Sequence, residues 1–401
     1  MAWPGNAPTV VVVGGGFAGL YATRALARQG LHVLLLDRVN YHLFQPLLYQ
    51  VATAALSPGD IAEPLRAILR KYRNVEVLLG EVTQIDPHAR TVALEDGATF
   101  SYDYLVLATG ARHSYFGYPE WEPLAPGLKS LADALELRRR IFLAFELAER
   151  ADDPAGREAL MTFVIVGGGP TGVELAGSIA EIARHTVRND FRRIDPRRAR
   201  IVLLEGGDRI LAQYPPDLSA NAVRALSKLG VEVRTNSVAS QVAADHVTVG
   251  GEQIATRTTL WAAGVEASSL GRQVGVEVDR AGRVPVRPDL RVAAHPEIFV
   301  LGDLATLKQR NGKPLPGIAP VAIQQGQAAA ANIGHLIRGE PTKPFHYFDR
   351  GSMATIGRAA AVGEIRWIHL AGVVAWLAWL VVHIFFLIGF QNRILVMLQW
   401  A

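Results

Sequence analysis

Runs of apolar residues that end in a glycine cluster occur at two places in the chain. The first run occupies residues 10–13 and precedes the glycines of 14–19, and the second occupies residues 163–166 and precedes those of 167–172. An unbroken apolar run of this length is typical of a strand buried on both faces of a parallel sheet. Helical spacing follows each cluster, so both places predict a strand, a tight turn and a helix.

Further apolar runs extend each pattern. Residues 33–36 end in Asp37 and residues 201–204 end in Glu205, which predicts a second strand after each helix. A strand at 104–108 ends in Ala-Thr-Gly, and the end of a later strand, at 260–264, echoes it as an internal repeat would. A strand at 298–301 ends in Gly-Asp and precedes a helix over 319–337. Residues 61–72 and 128–150 also have helical spacing.

These elements predict an α/β fold with two Rossmann-like dinucleotide-binding domains, the second inserted in the first, and a C-terminal helical membrane-associating segment. A polar linker at 151–156 marks the first boundary. The predicted domains are an FAD-binding domain over 1–150 that returns at 284–340, an NADH-binding domain over 151–283, and a membrane-association region over 341–401.

Each glycine cluster fits G-x-G-x-x-G between a strand and a helix, the context that makes this motif informative. The first glycine permits the turn, the second lets the backbone approach a pyrophosphate, and the third lets the helix pack close to the strand. One such cluster could be a packing turn. Two complete units predict two dinucleotides held face to face, as in a flavoprotein that takes hydride from a nicotinamide. Glu205 favours NADH over NADPH because a carboxylate repels a 2′-phosphate, and Arg209 close behind it would soften that preference.

Composition narrows the chemistry. The chain has 401 residues, half of them hydrophobic, and a net charge of +4, which is too weak and dispersed to predict a nucleic-acid partner. The absence of cysteine excludes disulfides, thiolate-bound metals, iron–sulfur clusters and a redox-active cysteine pair. Electrons are therefore expected to leave the flavin directly for another acceptor. Seven arginines between 184 and 200 predict a solvated face, with contact to lipid phosphates as the alternative.

The C-terminal tail is strongly apolar. His383 is the only ionisable residue from 370 to 390, a stretch that as a helix would span roughly 31 Å. Five residues at steps of three and four predict one helical face suited to a membrane interface: His369, Gly372, Trp376, Trp379 and His383. We expect a helix lying in the membrane surface; a single span and a core helix in a dimer are the alternatives. Residues 1–8 lack the features of a signal peptide, so the dinucleotide domains are expected on the cytoplasmic face of the cell membrane.

With these features in view, the chain resembles the type II NADH dehydrogenases, which are single-subunit, non-proton-pumping NADH:quinone oxidoreductases. The resemblance covers nearly the whole chain. The residues that carry it are NYHLFQPLLY at 40–49, GGGPTGVELAG at 167–177, Gly302-Asp303, VAIQQG at 321–326 and GSMATIG at 351–357. The segments at 40–49 and 319–357 are the most discriminating, because the glycine motifs alone would fit several flavin reductases.

The resemblance implies a role for each matching residue. FAD would be held by Gly14, Gly16, Phe17, Ala18, Gly19, Asp37, Ala108, Thr109, Gly110, Gly302, Asp303 and Ala322. NADH would be held by Gly167, Gly169, Thr171, Gly172, Glu205 and Gly264. Glu174 matches a family acid near the nicotinamide, although helix-dipole preference alone would also place an acid there. Gln324 and Gln325 would bound the quinone site, with Gln324 orienting the quinone carbonyl.

The chain departs from the family pattern at three places. The quinone signature Ala-Gln-x-Ala-x-Gln reads Ala-Pro-Val-Ala-Ile-Gln here, so Pro320 replaces the first glutamine. Arg350 stands where lysine is common, which makes the positive charge permanent. The family also usually continues beyond the residue at which this chain ends. The resemblance further implies ubiquinone or menaquinone as the acceptor, membrane lipid as a partner of the tail, and a homodimer.

Two other functions share the sequence features. A soluble NADH-dependent reductase of a small iron–sulfur carrier has both glycine units but does not explain the tail. A non-catalytic redox sensor that binds FAD and NADH would use the tail as an interaction helix. A sulfide:quinone oxidoreductase needs catalytic cysteines, which this chain lacks.

Overall fold

The computed structural model describes residues 8–309 and 312–400. Residues 1–7, expected to contain no signal peptide, and Ala401, beyond which the family is expected to continue, lie outside the described residues. Within them the helices are α1 Phe17–Arg28, α2 Leu48–Ala52, α3 Pro58–Ile61, α4 Leu65–Leu69, α5 Leu131–Arg150, α6 Pro154–Leu160, α7 Pro170–Glu181, α8 Pro216–Lys228, α9 Ala319–Ile337, α10 Val373–Phe386 and α11 Phe390–Trp400.

The strands are also numbered in chain order. They are β1 Thr9–Val13, β2 His32–Asp37, β3 Tyr41–Leu43, β4 Ala62–Pro64, β5 Val75–Leu79, β6 Val82–Asp86, β7 Thr91–Leu94, β8 Thr99–Ser101, β9 Tyr104–Leu107, β10 Ala111–His113, β11 Thr162–Val166, β12 Arg200–Leu204, β13 Val231–Arg234, β14 Ala239–Val242, β15 His246–Val249, β16 Glu252–Ala255, β17 Thr258–Trp261, β18 Val265–Ala267, β19 Val284–Pro285, β20 Ile298–Val300, β21 Ala305–Thr306, β22 Ser352–Gly357, β23 Ala360–Ile365 and β24 Ile368–Gly372.

The first sheet has the strand order β20-β9-β1-β2-β5, with every neighbouring pair parallel. Its central strand, β1, pairs Val10 with Val33 on one side and with Tyr104 on the other. The valines of β1 are buried, as an apolar run in a parallel sheet requires. Strand β20 joins this sheet although all strands of the second sheet precede it in the chain. The predicted α/β fold with one dinucleotide domain inserted in another is thus confirmed.

The second sheet has the order β13-β12-β11-β17 and is also parallel. Every residue of β11 is buried. One face of this sheet packs with the antiparallel strands β14, β15 and β16 and with aromatic residues that precede α5. The core on that face includes Tyr115, Trp121 and Trp261.

The chain divides into two compact units. The first unit contains residues 1–43, 62–112 and 265–349, and the second contains residues 44–61, 113–264 and 350–401. Residues 113–150 thus group with the second sheet, whereas the sequence prediction assigned them to the first domain. The assignment of the domains to FAD, NADH and membrane stays a prediction, because compactness alone does not identify a ligand.

Two predicted helices have different limits. Residues 61–72 form the strand β4 and the short helix α4 rather than one helix. Helix α5 begins at Leu131, not at 128, because Ser130 and Asp133 form a reciprocal capping box at its N-terminus. The predicted helix over 319–337 matches α9.

Several arginines of the connector between α7 and β12 form ion pairs. Arg193 pairs with Asp152 at 2.5 Å, and Arg197 with Asp195 at 2.8 Å. Arg200 pairs with Glu232 at 2.9 Å. This pairing with acids on the second unit itself favours the solvated face over contact with lipid phosphates.

The tail departs from its sequence prediction. Residues 368–372 form β24, which pairs with β23 in an antiparallel three-stranded sheet, so His369 and Gly372 do not share a helical face with the tryptophans. Gly372 has φ of 70°, a left-handed conformation that ends the strand before α10 begins. Trp379 is buried, and His383 stacks on it at 4.1 Å between ring centroids, so these rings do not form an exposed interfacial face. Among residues 8–309 and 312–400, no helix is both long and apolar enough to cross a bilayer.

Candidate functional site

The first glycine turn links β1 to α1 in the first unit. Gly14 has φ of 102°, and a Cβ there would overlap the carbonyl oxygen of Ala108. A Cβ at Gly19 would overlap the carbonyl oxygen of Gly14, so only glycine lets the helix approach the strand. Gly16, in contrast, has no atom within 4 Å of a Cβ position. The turn is therefore closed on the protein side and open at the helix N-terminus, and a helix N-terminus of this kind is suited to a phosphate group.

Asp37 closes this turn from the next strand. One carboxylate oxygen accepts the backbone N–H of Gly15, and the other accepts that of Val39 at 2.8 Å. Burial raises the pKa of Asp37, and the two backbone donors oppose that shift. The amide groups hold the carboxylate at the strand end, where the remaining oxygen lone pairs suit a ribose diol.

His42 is a site residue that the motif argument missed. Its Nδ1 lies 2.9 Å from the carbonyl oxygen of Gly15, and its ring meets Phe17 edge-on at 5.1 Å. Burial lowers the pKa of His42 to about 4, so the neutral ring donates to that carbonyl. His42 lies in the NYHLFQPLLY segment that carries the family resemblance, but spacing alone does not indicate a contact with the glycine turn.

The strand ends at Ala108 and Gly302 meet near α1 and α9 within the first unit. A Cβ at Gly302 would lie 3.6 Å from the Cβ of Ala18 and 3.7 Å from that of Ala322. The structure thus brings together these predicted FAD-binding residues. The Thr109 hydroxyl is buried and has no hydrogen-bond partner among the described residues. A buried polar atom without a partner fits a place that a ligand completes.

The second glycine turn, in the second unit, repeats the first. Gly167 has φ of 111°, and a Cβ there would lie 2.6 Å from the carbonyl oxygen of Ala262. A Cβ at Gly172 would overlap the carbonyl oxygen of Gly167, whereas Gly169 has open space. Thr171 lies in the first turn of α7, which points its N-terminus at the same opening.

Glu205 takes the position that Asp37 has in the first unit. Its carboxylate oxygens accept the backbone N–H groups of Gly168 and Gly207, each at 2.7 Å. Arg209 donates to the carbonyl oxygen of Ala212 at 2.9 Å. The Glu205 carboxylate is therefore fixed beside the glycine turn by the loop that follows its own strand.

Gly264 lies under an aromatic side chain that sequence reasoning missed. A Cβ at Gly264 would lie 2.5 Å from the Cζ of Phe116. Phe116 is 64% exposed and has a left-handed backbone, with φ of 53°. A bulky residue in that conformation is strained, and such strain clusters at functional positions.

Glu174 lies one turn into α7, in a poorly solvated setting. Burial raises its pKa to about 8, although a hydrogen bond from the Thr355 backbone N–H opposes the rise. The Thr355 hydroxyl lies 2.9 Å from that of Tyr49, and Gln50 donates to Tyr49 at 2.9 Å. Trp400 of α11 in turn donates to Gln50 at 2.8 Å. A chain of polar contacts thus runs from the last helix to the strand residue that contacts Glu174.

The two predicted quinone-site glutamines both make hydrogen bonds within the first unit. Gln325 accepts the backbone N–H of Gly302 at 2.7 Å and so joins α9 to the Gly-Asp strand end. Gln324 donates to the carbonyl oxygen of Phe348 at 2.9 Å and accepts the N–H of the same residue at 3.0 Å. Pro320 lies in the first turn of α9, where a missing N–H costs the helix nothing.

Two parallel sheets, each with a closed glycine turn and an amide-fixed carboxylate, define a flavoprotein of the pyridine nucleotide oxidoreductase class. The family model described as pyridine nucleotide-disulphide oxidoreductase matches residues 8–326, and the NDH2 C-terminal domain model matches residues 350–401.

The chain belongs to the type II NADH:quinone oxidoreductases. It is 47% identical to the type II NADH:quinone oxidoreductase NdhA of Mycobacterium tuberculosis, over 99% of this chain and 87% of that protein. It is 45% identical to Ndh of the same organism, over 100% and 89%, and 31% identical to the Haemophilus influenzae relative, over 89% and 86%. The family thus confirms the predicted class of enzyme, with FAD as cofactor and NADH as reducing substrate.

Solved structures agree on the fold. The NDH2 of Plasmodium falciparum in complex with NADH superposes with a TM-score of 0.91 at 19% identity and covers 98% of both chains. A sulfide:quinone oxidoreductase of Aquifex aeolicus superposes with a TM-score of 0.74 at 20% identity, over 96% of this chain and 92% of that one. At such identities the likeness concerns the fold alone.

Proposed function

We propose that this chain binds FAD at the Gly14 turn and NADH at the Gly167 turn, and passes two electrons from NADH to a membrane-dissolved quinone without pumping protons. The observation that carries the proposal is the matched pair of turns. Each has an open glycine at a helix N-terminus and a carboxylate held by the turn's own backbone N–H groups. Bound FAD would supply the two-electron chemistry that links the two substrates.

The residues at the first turn fit the ADP half of FAD. The open space at Gly16 would admit a pyrophosphate, and the Asp37 carboxylate suits a ribose. The Thr109 hydroxyl, which has no partner in the part of the chain that the structure describes, would supply a further polar contact. At the second turn, Gly169 and Glu205 would bind NADH in the same way. The negative charge of Glu205 would disfavour the 2′-phosphate of NADPH.

Glu174 would hold a proton near the redox site. With its pKa raised to about 8, the carboxyl is mostly protonated at neutral pH. Reduction of ubiquinone or menaquinone consumes two protons, so a neutral carboxyl is a suitable store for one of them. Gln324 and Gln325, in the second turn of α9, would bound the path of the quinone.

The C-terminal region would attach the protein to the cytoplasmic face of the membrane without spanning it. Val374, Leu377, Val381 and Phe385 lie at helical steps on α10, and each is more than half exposed. Trp367, at the tip of the β23–β24 hairpin, is 78% exposed. Aliphatic and aromatic side chains in water are costly, and the lipid interface would cover them. The family resemblance also supports a homodimer.

Stopped-flow oxidation of NADH by the purified, FAD-loaded protein in detergent tests the activity. We expect fast bleaching of the flavin absorbance by NADH and recovery on addition of a short-chain quinone. Bleaching without quinone-driven recovery would refute the acceptor and favour the reductase of an iron–sulfur carrier. Slow bleaching with no acceptor turnover would favour the redox sensor.

Flotation with anionic phospholipid vesicles tests the attachment. The double change Val381→Glu and Phe385→Glu places charge on the exposed face of α10, and we expect it to reduce vesicle binding at least about tenfold. The double change Leu135→Glu and Leu143→Glu is the matched control, because both are exposed leucines on α5 and the change adds the same charge. Equal vesicle binding by the double variant and the control would argue against α10 as the attachment surface.

A further inference from the structure

A tight turn with two left-handed residues precedes α5 in the second unit. Phe116 has φ of 53° and Gly117 has φ of 96°, and the Tyr118 N–H donates to the Tyr115 carbonyl oxygen at 3.0 Å. Positive φ at both central positions defines a type I′ β-turn, in which asparagine or glycine is usual at the first of them. A phenylalanine is costly there, because its Cβ crowds the backbone.

The Phe116 side chain gains little from the protein in return for this cost. Its ring is 64% exposed, and the centroid lies 6.2 Å from that of Trp261. The neighbouring Tyr115 shows the contrast, because it is buried and stacks on Trp261 at 5.0 Å. Packing within the second unit therefore explains Tyr115 and does not explain Phe116.

The position of the Phe116 ring is fixed from both sides of β17's last residues. The Ser114 N–H donates to the Gly264 carbonyl oxygen at 3.4 Å, and the Ser114 carbonyl oxygen accepts the Trp261 indole N–H at 2.9 Å. A Cβ at Gly264 would lie 2.5 Å from the Cζ of Phe116. The turn is thus held against the end of β17, and only glycine at 264 leaves room for the ring.

The end of β17 lies on one side of the second glycine turn. The strand order is β12-β11-β17, with Glu205 after β12, the turn after β11 and Gly264 shortly after β17. A dinucleotide lies across the carboxyl ends of such strands with its pyrophosphate at the turn. With the adenosine ribose at Glu205, the other half of the dinucleotide extends past β11 towards Gly264.

We propose that Phe116 is an NADH-binding residue whose exposed ring packs against the nicotinamide riboside half of the dinucleotide at the end of β17. This inference rests on the proposed function, because it takes NADH to bind at the Gly167 turn. The flat nicotinamide ring and its ribose would cover the exposed phenyl ring, a contact of the kind that stabilises aromatic pairs. Strain at a ligand-binding position is a recurrent feature of folded proteins, and this contact accounts for it.

Phe116→Asn separates the ring from the turn. Asparagine readily takes the left-handed conformation at this position, so the variant keeps the turn and loses the ring. Calorimetric titration of the FAD-loaded protein with NAD⁺ measures binding without turnover. We expect the Kd for NAD⁺ to rise roughly fivefold. The Kd for ADP should stay the same, because ADP has the adenosine and two phosphates but no nicotinamide riboside.

Thermal unfolding of the same variant gives a second readout in the opposite direction. The melting temperature of Phe116→Asn should equal or exceed that of the wild type, because asparagine relieves the strain of the turn. Phe116→Tyr keeps the ring and should bind NAD⁺ and ADP as the wild type does. Tyr118→Ala is the matched control, because it removes a half-exposed ring from the same turn, one that stacks on Trp121 at 4.4 Å. It should leave the Kd for NAD⁺ unchanged.

Three results would overturn the inference. A wild-type Kd for NAD⁺ in Phe116→Asn, with a lowered melting temperature, would make Phe116 a residue of the fold alone. Equal weakening of NAD⁺ and ADP would place the effect at the glycine turn instead of the nicotinamide side. Equal weakening of NAD⁺ by Tyr118→Ala would assign it to the loop as a whole. A failure of the proposed function is distinguishable from these, since the wild type itself would then bind neither NAD⁺ nor ADP.

Discussion

The glycine turns of the two units are alike in the turn itself and different in what packs behind its helix. In both, the first glycine has φ above 100°, the third lies against the carbonyl of the first, and the middle one is open. Behind α1 lies helix α9, with Gly326 against the backbone of Ala18. Behind α7 lies strand β22, with Gly177 against the carbonyl of Ile356. The glycine spacing therefore fixes the turn, and distant parts of the chain decide what supports it.

The two acids reach the same position by different routes. Between α1 and Asp37 the chain is short, whereas between α7 and Glu205 it makes a π-helical turn at Ile182–Thr186 and a 3-10 turn at Pro196–Arg198. Both carboxylates nevertheless accept the N–H that follows the first glycine of the turn. The end of the second strand, not the number of residues before it, places the acid. This is why a longer spacing still gives the same hydrogen bond between the carboxylate and the glycine turn.

The largest expected effect comes from filling each turn separately. Gly19→Ala and Gly172→Ala each place a Cβ on a backbone carbonyl oxygen that cannot move aside. We expect Gly19→Ala to yield protein without flavin absorbance. Gly172→Ala should retain FAD but raise the KM for NADH roughly a hundredfold, about 2.8 kcal/mol.

Flavin content and NADH titration of the two variants measure this difference. Loss of FAD from Gly172→Ala with retention in Gly19→Ala would reverse the assignment of the turns. Gly59→Ala is the control, because Gly59 is exposed and has open space around its Cβ position.

The next largest effect concerns the packing of strand β22 against α7 and is an effect on stability. Gly177→Ala would put a Cβ on the carbonyl oxygen of Ile356, and we expect it to lower the free energy of unfolding by about 3 kcal/mol. The corresponding position on α1 is Arg24. A glycine is not needed there, because helix α9 packs elsewhere on α1. Thermal unfolding of Gly177→Ala, compared with the control variant Gly59→Ala, measures the loss of stability. A melting temperature equal to that of the control would mean that β22 moves away at little cost.

Cofactor choice should change by a smaller amount. Glu205→Gln removes the charge that repels a 2′-phosphate and keeps one acceptor oxygen at the turn. We expect the ratio of kcat/KM for NADPH to that for NADH to rise about tenfold, or about 1.4 kcal/mol. Asp208→Asn removes the same charge from an exposed residue of the following loop and serves as control. An equal change of this ratio in both variants would mean that the overall negative charge of the loop, and not Glu205 itself, determines the preference.

The last effect depends on pH and concerns Glu174, whose counterpart on α1 is Tyr21. The pKa of Glu174 rises from the ordinary 4.5 to about 8 in the folded protein. Between these pH values the folded state binds more protons than the unfolded state, so this carboxyl makes stability fall as pH rises. Glu174→Gln removes that slope. We expect the variant to gain about 1.4 kcal/mol relative to wild type for each pH unit within this window.

Thermal melts of the wild type and Glu174→Gln across the window measure the gain. Glu146→Gln, on the exposed face of α5, controls for loss of one charge. Parallel curves for wild type and Glu174→Gln would contradict the raised pKa.

Local sequence was sufficient wherever one short segment decides the geometry. Both glycine turns, the buried parallel strands and the acids at the ends of β2 and β12 follow from glycine sterics and apolar periodicity. The class of enzyme followed from motifs that lie within such segments. The roles of Glu174, Gln324 and Gln325 stay predictions, because the sequence carries residue types and not their partners.

Tertiary structure decided the features that depend on distant pairing. Hydropathy at 368–372 is the same in a helix or a strand, and pairing with β23 makes it a strand. The contact of His42 with the Gly15 carbonyl joins segments that no periodicity connects. The hydrogen bonds between the Gln324 side chain and the Phe348 backbone do the same. A backbone group takes whichever donor or acceptor the fold brings within about 3 Å, and that proximity is a property of the folded chain, not of any one segment.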